Sequence, residues 1–237
     1  MVILATTPIL AHPLGPFTID RYSRLHISRD AVSLHYIIDM AEIPTAEELL
    51  HIDADHNRRI APEEERGYAE RTVRDFARRL KLEVNGRALE WRVDSSAVQV
   101  VQAAERASGS FPTMRITADM SASIPNGLQI HSVRYEDGNF IERAGWKEIV
   151  ANAADELDLI RSSVPQEDLS AKLTRFPSDA LLAPPQAVHA ELTFGAVESA
   201  NSAIHWTALA LSLLATAAVF AARRLQLSRL AKTGFRL

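Results

Sequence analysis

Apolar and polar residues alternate along much of the chain with a period of two, which is typical of half-buried β-strands. The clearest run lies within residues 17–42, where apolar positions from Val32 onward alternate with Ser33 and His35. Asn85-Gly86 predicts a two-residue hairpin turn. Further strand-like segments are 96–103, 113–122, 128–135, 146–150 and 157–162. Seven or more short strands about ten residues apart predict a mainly β fold that resembles a β-sandwich.

A helical insertion interrupts the β pattern between residues 44 and 80. Thr45 followed by Glu48 has the pattern of a capping box, which predicts that a short helix begins at this point. Residues 63–80 carry apolar side chains at helical spacing around Val73, which predicts an amphipathic helix with one buried stripe. We therefore expect a helix–loop–helix insert within the β-rich domain.

The C-terminal part of the chain contains an uncharged segment at residues 204–222. A helix of this length measures about 28 Å, close to the thickness of about 30 Å of the hydrocarbon core of a bilayer. Residues 223–237 contain five basic residues and no acidic one, and positive flanks stay on the cytoplasmic side. The pattern predicts one transmembrane helix in the cytoplasmic (inner) membrane, with a basic cytoplasmic tail.

The N-terminal segment agrees with this orientation. Residues 1–11 are apolar and resemble the second half of a signal peptide, although they lack its basic first region. We expect residues 12–163 to form the extracytoplasmic domain. Residues 164–203 are rich in Pro, Ala and Ser and predict a tether, ordered only in part, that leads to the membrane.

Composition and charge exclude several functional classes. The chain has no Cys, which excludes disulfide scaffolds, Cys-based zinc sites and thiol nucleophiles. The net charge is -4 from 26 basic and 30 acidic residues; without the five basic residues of the tail, the remainder carries 21 - 30 = -9. An acidic body argues against nucleic acid as a partner. No Gly-x-Ser-x-Gly, phosphate-binding Gly-rich loop or His-Glu-x-x-His motif indicates an enzyme, which leaves a carboxylate-based hydrolase as a minor alternative.

Twelve residues between the two predicted helices carry oxygen ligands at the spacing of an EF-hand loop. Asp53, Asp55 and Asn57 would provide side-chain oxygens at the first, third and fifth positions. Arg59 would provide its backbone carbonyl, and Glu64 at the twelfth position would provide both carboxylate oxygens. Because calcium binds six to eight hard oxygen ligands, the loop predicts a calcium site.

The loop departs from the EF-hand pattern at its sixth position, which is Arg58 where Gly is expected. A non-Gly residue with positive φ costs about 1–2 kcal/mol, and Arg58 and Arg59 place positive charge beside the cation. We therefore expect weak binding, roughly millimolar. Ile60 would anchor the loop to the helices. The alternative is an acidic turn that joins two helices without an ion.

Three histidines are candidate ligands for a transition metal such as nickel or cobalt. If cleavage follows Ala11, His12 becomes the first residue and offers its α-amine and imidazole to one metal ion. His51 and His56 flank the acidic loop and could bind nickel, cobalt or zinc together with Asp53 or Asp55. The alternative for His12 is a residue that merely follows a cleavage site. In an EF-type loop the fourth side chain points outward, so His56 could not share the calcium geometry.

Several segments resemble one protein family. They are HPLG at 12–15, FTI at 17–19, RYSRL at 21–25, YIIDMAEIPT at 36–45, the acidic loop at 53–64, GWKEI at 145–149, SSVP at 162–165, and FPSD at 176–179 with Leu181 and Leu182. Together they resemble the extracytoplasmic N-terminal domain of nickel/cobalt permeases of the high-affinity nickel transporter family, over residues 12–190.

This resemblance implies a periplasmic module associated with metal transport. In such permeases a multi-span domain follows, whereas this sequence predicts a single span. We therefore expect a non-enzymatic accessory or metal-sensing subunit whose multi-span permease either is a separate chain or has been lost. The alternative is a calcium-stabilised structural or interaction domain with no role in transport.

Overall fold

Ten strands and two helices lie in the part of the chain that the computed structural model describes, which is residues 15–101, 111–177 and 183–195. The elements in chain order are β1 (Ile19–Ile27), β2 (Ala31–Met40), α1 (Glu42–Ile52), α2 (Pro62–Ala77), β3 (Leu80–Val84), β4 (Arg87–Leu89), β5 (Arg92–Val101), β6 (Thr113–Ser123), β7 (Ser132–Asp137), β8 (Lys147–Ala153), β9 (Leu159–Ser162) and β10 (His189–Phe194). The prediction of a mainly β fold is confirmed.

The strands form two sheets of five strands each. The order in the first sheet is β5-β6-β2-β1-β8, and the order in the second is β4-β3-β7-β10-β9. Neighbouring strands are antiparallel except for β1 and β8, which pair in parallel with Arg21 opposite Lys147. Segment 128–135 was predicted as a strand, but β7 begins only at Ser132.

One hydrophobic core lies between the inner faces of the two sheets. Leu34 and Ile38 of β2 contribute to it from the first sheet, and Leu82 and Val133 contribute from the second. Each of these side chains is at most 1% exposed. Burial of apolar surface stabilises such a core by about 25 cal/mol per Å², so the alternation seen in the sequence specifies a β-sandwich-like arrangement.

The hairpin between β3 and β4 has the predicted turn. Asn85 has a φ of 52° and Gly86 a φ of 78°. Two central residues with positive φ define the type I′ turn, whose twist matches that of the flanking strands. Val84 and Arg87 close the turn as a paired position.

Helix α1 begins three residues earlier than the sequence predicts. The proposed capping box at Thr45 is wrong, because the helix starts at Glu42, directly after β2. The Thr45 hydroxyl is buried and donates to the carbonyl oxygen of Met40 at 3.0 Å. Pro44 lies in the first turn, where a missing backbone N–H leaves no helical hydrogen bond unmade.

Helix α2 carries the predicted buried stripe. Ala69, Val73 and Phe76 are each at most 4% exposed, while the polar residues between them face solvent. Pro62 occupies the first position of the helix, where its fixed φ favours initiation.

The predicted tether is wrong in its first part. Strand β10 lies within residues 164–203, between β7 and β9 in the second sheet. Ala190, Leu192 and Phe194 are buried and alternate with exposed residues. The predicted domain boundary at residue 163 is therefore also wrong, because the sheet extends to Phe194.

Four predicted features lie outside the described residues: the signal-like segment 1–11, His12, the span 204–222 and the tail 223–237. Across the described ranges, neither helix has the length and the apolar character that a membrane crossing requires.

Candidate metal site

The acidic loop is held between two helices that both contact the sandwich core. Ile52, at the end of α1, is fully buried, and Ile60 in the loop packs against the same core, as expected of an anchor residue. The Tyr68 hydroxyl of α2 donates to Oε2 of Glu48 in α1 at 2.7 Å. The two ends of the loop are thus fixed relative to each other.

Three of the predicted calcium ligands converge in this loop. One carboxylate oxygen from each of Asp53, Asp55 and Glu64 lies within 4.8 Å of the other two. Because calcium–oxygen distances are about 2.3–2.6 Å, two oxygens on one ion are at most about 5 Å apart. The three carboxylates can therefore reach a single cation.

Asn57 and Arg59 belong to the same turn. The backbone N–H of Asn57 donates to Oδ1 of Asp53 and to Oδ1 of Asp55, both at 3.0 Å. The Asn57 side-chain amide donates to Oδ2 of Asp55 at 2.7 Å, and its carbonyl oxygen accepts from the Arg59 N–H at 2.7 Å. These bonds orient the side chains of Asp53, Asp55 and Asn57 within the loop.

Glu64 connects the first turn of α2 to the loop. Its Oε2 accepts from the Ala61 N–H at 2.9 Å, and its Oε1 accepts from the N–H groups of Ala54 at 2.8 Å and Asp55 at 3.3 Å. The Ala61 N–H and, to a smaller extent, the other two lower the pKa of the Glu64 carboxyl below its ordinary value. Glu64 is therefore ionised at neutral pH, as a cation ligand must be.

The loop backbone has the left-handed conformation that the sixth position requires. Arg58 has a φ of 65°, and His56 has a φ of 60°. The Arg58 N–H donates to Oδ2 of Asp53 at 2.9 Å, which helps to hold the residue in this conformation. The sequence thus folds into the predicted turn although Arg replaces Gly.

The structure does not bring His51 and His56 into the acidic group. His51 and His56 are exposed, and the group of converging ligand atoms consists of carboxylates alone. Two strand histidines have polar partners: Nδ1 of His26 lies 3.0 Å from Oδ1 of Asn152, and Nδ1 of His35 lies 2.7 Å from Oδ1 of Asp119.

Sequence reasoning missed a buried polar cluster between the two sheets. Arg21 of β1 and Asp137 of β7 form an ion pair at 3.0 Å and are at most 3% exposed. The Tyr36 hydroxyl donates to the Asp137 carboxylate at 3.1 Å, and Asn139 donates its N–H to the same carboxylate at 2.9 Å. Burial raises the pKa of Asp137, while Arg21 opposes this shift. The sequence signal that could have indicated this cluster is Arg21, an Arg at an inward-facing position of a strand.

Two further buried carboxylates lie on the outer side of the first sheet. Asp20 accepts from the Trp146 N–H at 2.7 Å, and burial raises the pKa of Asp20 to about 7. Glu148 is 3% exposed and accepts from the indole N–H of Trp146 at 2.7 Å. None of the predicted metal ligands contributes to these contacts.

A cleft of about 780 Å³ opens between α2 and the strands β3 to β5. Its lining includes Arg74, Glu83 and Trp91, but none of the five predicted calcium ligands. The acidic loop is thus a surface site, separate from this cleft. No protein-family model, curated protein or solved structure matches this chain.

Proposed function

We propose that the protein is a calcium-binding β-sandwich module, in which the ion joins the two helices of the insert. The observation that carries this proposal is the convergence of Asp53, Asp55 and Glu64 within 4.8 Å, in a loop whose sixth residue is left-handed. Hard carboxylate oxygens at this spacing suit calcium better than softer transition metals.

The proposed role of the ion is structural. Ile52 and Ile60 fix both sides of the loop to the core, and Tyr68 ties α2 to α1. A cation held between these fixed points would stiffen the joint rather than separate the helices. Since Arg58 and Arg59 place positive charge nearby, the expected dissociation constant is roughly millimolar.

Thermal unfolding of the full chain with added CaCl₂ tests this proposal. At about 10 mM calcium and a dissociation constant of about 1 mM, the expected stabilisation is about 1.4 kcal/mol. Asp53→Ala and Glu64→Ala should abolish it. Glu63→Gln, an exposed neighbour outside the acidic group, should keep it. No stabilisation of the wild type, or an equal one in Glu64→Ala, would contradict the proposal.

We also propose that this module accompanies a separate nickel/cobalt permease, with its body outside the cytoplasmic membrane. The proposal rests on the family resemblance, and it is supported by the proximity of the segments that carry the resemblance. The ring centroid of Trp146, in segment 145–149, lies 5.2 Å from that of Phe176, the first residue of another such segment. Ala151, two residues after segment 145–149, donates its N–H to the carbonyl oxygen of Pro165, which ends a third segment.

Co-purification after mild detergent extraction tests the association with a permease. A multi-span membrane protein should accompany the full chain, and metal accumulation should change when the gene is deleted. Protease added to intact spheroplasts should cleave the body. Consistent absence of a multi-span partner, together with unchanged metal accumulation, would leave the calcium module without a transport role.

A further inference from the structure

A segment without helix or strand crosses the outer face of the first sheet. Residues 164–177, which we call the strap, cover a small apolar cluster on that face. Leu173 of the strap is 4% exposed and packs with Tyr22 and Trp146 of the sheet. The rings of Phe176 and Trp146 pack edge to face, with 5.2 Å between their centroids.

The strap is held mainly by side chains rather than by a ladder of backbone hydrogen bonds. Among the described residues, its one backbone hydrogen bond to a strand joins the Ala151 N–H to the carbonyl oxygen of Pro165 at 3.0 Å. Arg115 adds a guanidinium bond to the carbonyl oxygen of Lys172. A segment attached in this way can separate without breaking the pairing of the sheet beneath it.

Glu148 makes the densest set of these contacts. Its Oε1 accepts from the Leu169 N–H at 2.5 Å, and its Oε2 accepts from the Ser170 hydroxyl at 2.5 Å. The same Oε2 also accepts from the Trp146 indole N–H. One buried carboxylate therefore links the strap to the sheet face that it covers.

A second attachment lies at Asp168. Its Oδ2 accepts from the Tyr22 hydroxyl at 2.7 Å and from Nη2 of Arg24 at 2.8 Å. Arg24 and Asp168 are both partly exposed, so solvent screens this ion pair more than it screens the contacts of Glu148.

The strap also contains a strained backbone. Ala171, Lys172 and Leu173 have φ values of 47°, 60° and 60°, three consecutive non-Gly residues in the left-handed region. L-residues adopt this region at a steric cost and remain there only where surrounding contacts impose it. The closed strap therefore carries a cost that opening would remove.

We propose that the strap beyond Val164, which itself stays in the core between the sheets, is a displaceable cover. This cover opens as a unit while the two sheets stay folded, and Glu148 holds it closed. Opening exposes Tyr22 and Trp146, so the strap controls access to an aromatic surface. The three left-handed residues favour the open state, and the carboxylate contacts favour the closed state.

Hydrogen exchange of the full chain tests this proposal through the amides of Leu169 and Leu173. Glu148→Gln removes acceptor capacity and should accelerate their exchange about tenfold or more, while the amides of β2 keep their wild-type rates. Trypsin should cleave this variant faster at Lys172 and Arg175. Glu136→Gln, the same change at an exposed strand position, should alter neither measurement.

Lys172→Gly provides an independent test, because it relieves strain in the closed state without removing a contact of Glu148. Exchange at Leu169 and Leu173 should slow by about threefold or more. Strap amides that exchange only together with β2, in the wild type and in Glu148→Gln, would overturn the proposal. If Glu148→Gln does not fold, unchanged or faster exchange in Lys172→Gly would overturn it.

Discussion

At the scale of single residues, the acidic loop depends on a side chain that accepts a backbone N–H. Arg58 is left-handed at a cost of about 1–2 kcal/mol, and the Asp53 carboxylate receives its N–H. Asp53 is thus both a proposed ion ligand and a support for the turn. Changes at this position will therefore alter loop stability even without calcium.

Substitutions at Arg58 separate backbone strain from charge. Arg58→Ala removes the positive charge and keeps the strained φ. It should therefore improve calcium affinity without changing the free energy of unfolding in the absence of calcium. Arg58→Gly should improve affinity and also raise the free energy of unfolding without calcium by about 1 kcal/mol. Calorimetric titration and chemical denaturation measure the two effects. Weaker calcium binding in Arg58→Gly would contradict the role assigned to the sixth position.

Asp20 should make stability depend on pH. Its pKa is about 7 in the folded protein and 3.8 ordinarily, so the folded state binds more protons between these values. The free energy of unfolding should therefore fall as pH rises from about 4 to about 7. Asp20→Asn keeps an acceptor for the Trp146 N–H but cannot titrate. The fall in the free energy of unfolding with rising pH should therefore be smaller in this variant, by on the order of 2 kcal/mol.

Chemical denaturation at pH 5 and pH 8 measures the contribution of Asp20. The free energy of unfolding should fall more between pH 5 and pH 8 in the wild type than in Asp20→Asn. Asp30→Asn, at an exposed position in the turn after β1, should follow the wild type. Parallel pH profiles for all three proteins would contradict a raised pKa at Asp20.

Sequence distance explains which site residues could be predicted. The calcium ligands lie within twelve consecutive residues, and one turn brings Asp53, Asp55 and Glu64 together. Arg21 and Asp137 are 116 residues apart, and only the packing of two sheets brings them into contact. No local pattern contains that information, although a buried Arg requires some acidic or carbonyl partner.

At the scale of elements, local signals succeeded where one turn decides the structure and failed where tertiary contacts decide it. Asn85-Gly86 determines its hairpin because only a few residue types accept two positive φ values. The capping pattern at Thr45 did not determine where α1 begins, because its hydroxyl bonds to Met40 of β2 instead. Strand β10 was missed because the Pro-rich flank before it, with Pro184 and Pro185, obscures its short alternation.

Strand β10 should be essential to the second sheet. Leu192 is 2% exposed between the sheets, so Leu192→Ala should lower the free energy of unfolding by about 2–5 kcal/mol. Ile160→Ala on the edge strand β9, where the side chain is 65% exposed, should change it by less than about 0.5 kcal/mol. Denaturant unfolding measures the free energy of unfolding of both variants. Equal, small effects would mean that residues 189–194 are peripheral.

At the scale of the whole molecule, the ion pair of Arg21 and Asp137 joins the two sheets inside the core. Removing one partner leaves a buried charge without its counter-ion. Arg21→Met should therefore lower the free energy of unfolding by about 3–5 kcal/mol. The double variant Arg21→Met/Asp137→Leu should lose less than the sum of the two single variants.

A double-mutant cycle measures this coupling. The exposed pair of Lys81 on β3 and Glu136, which precedes Asp137 on β7, provides the matched comparison. Its coupling should be at most about 1 kcal/mol, because solvent screens it. Similar coupling in the two pairs would show that burial does not strengthen the link between the sheets.

The parallel pairing of β1 with β8 has a consequence for the order of events during synthesis. Asp20 contacts Trp146, 126 residues further along the chain, so the ribosome completes β1 long before its partner strand exists. Folds dominated by such distant pairings form in milliseconds to seconds. Until β8 arrives, one edge of β1 carries unpaired backbone groups, which invite aggregation with other nascent chains.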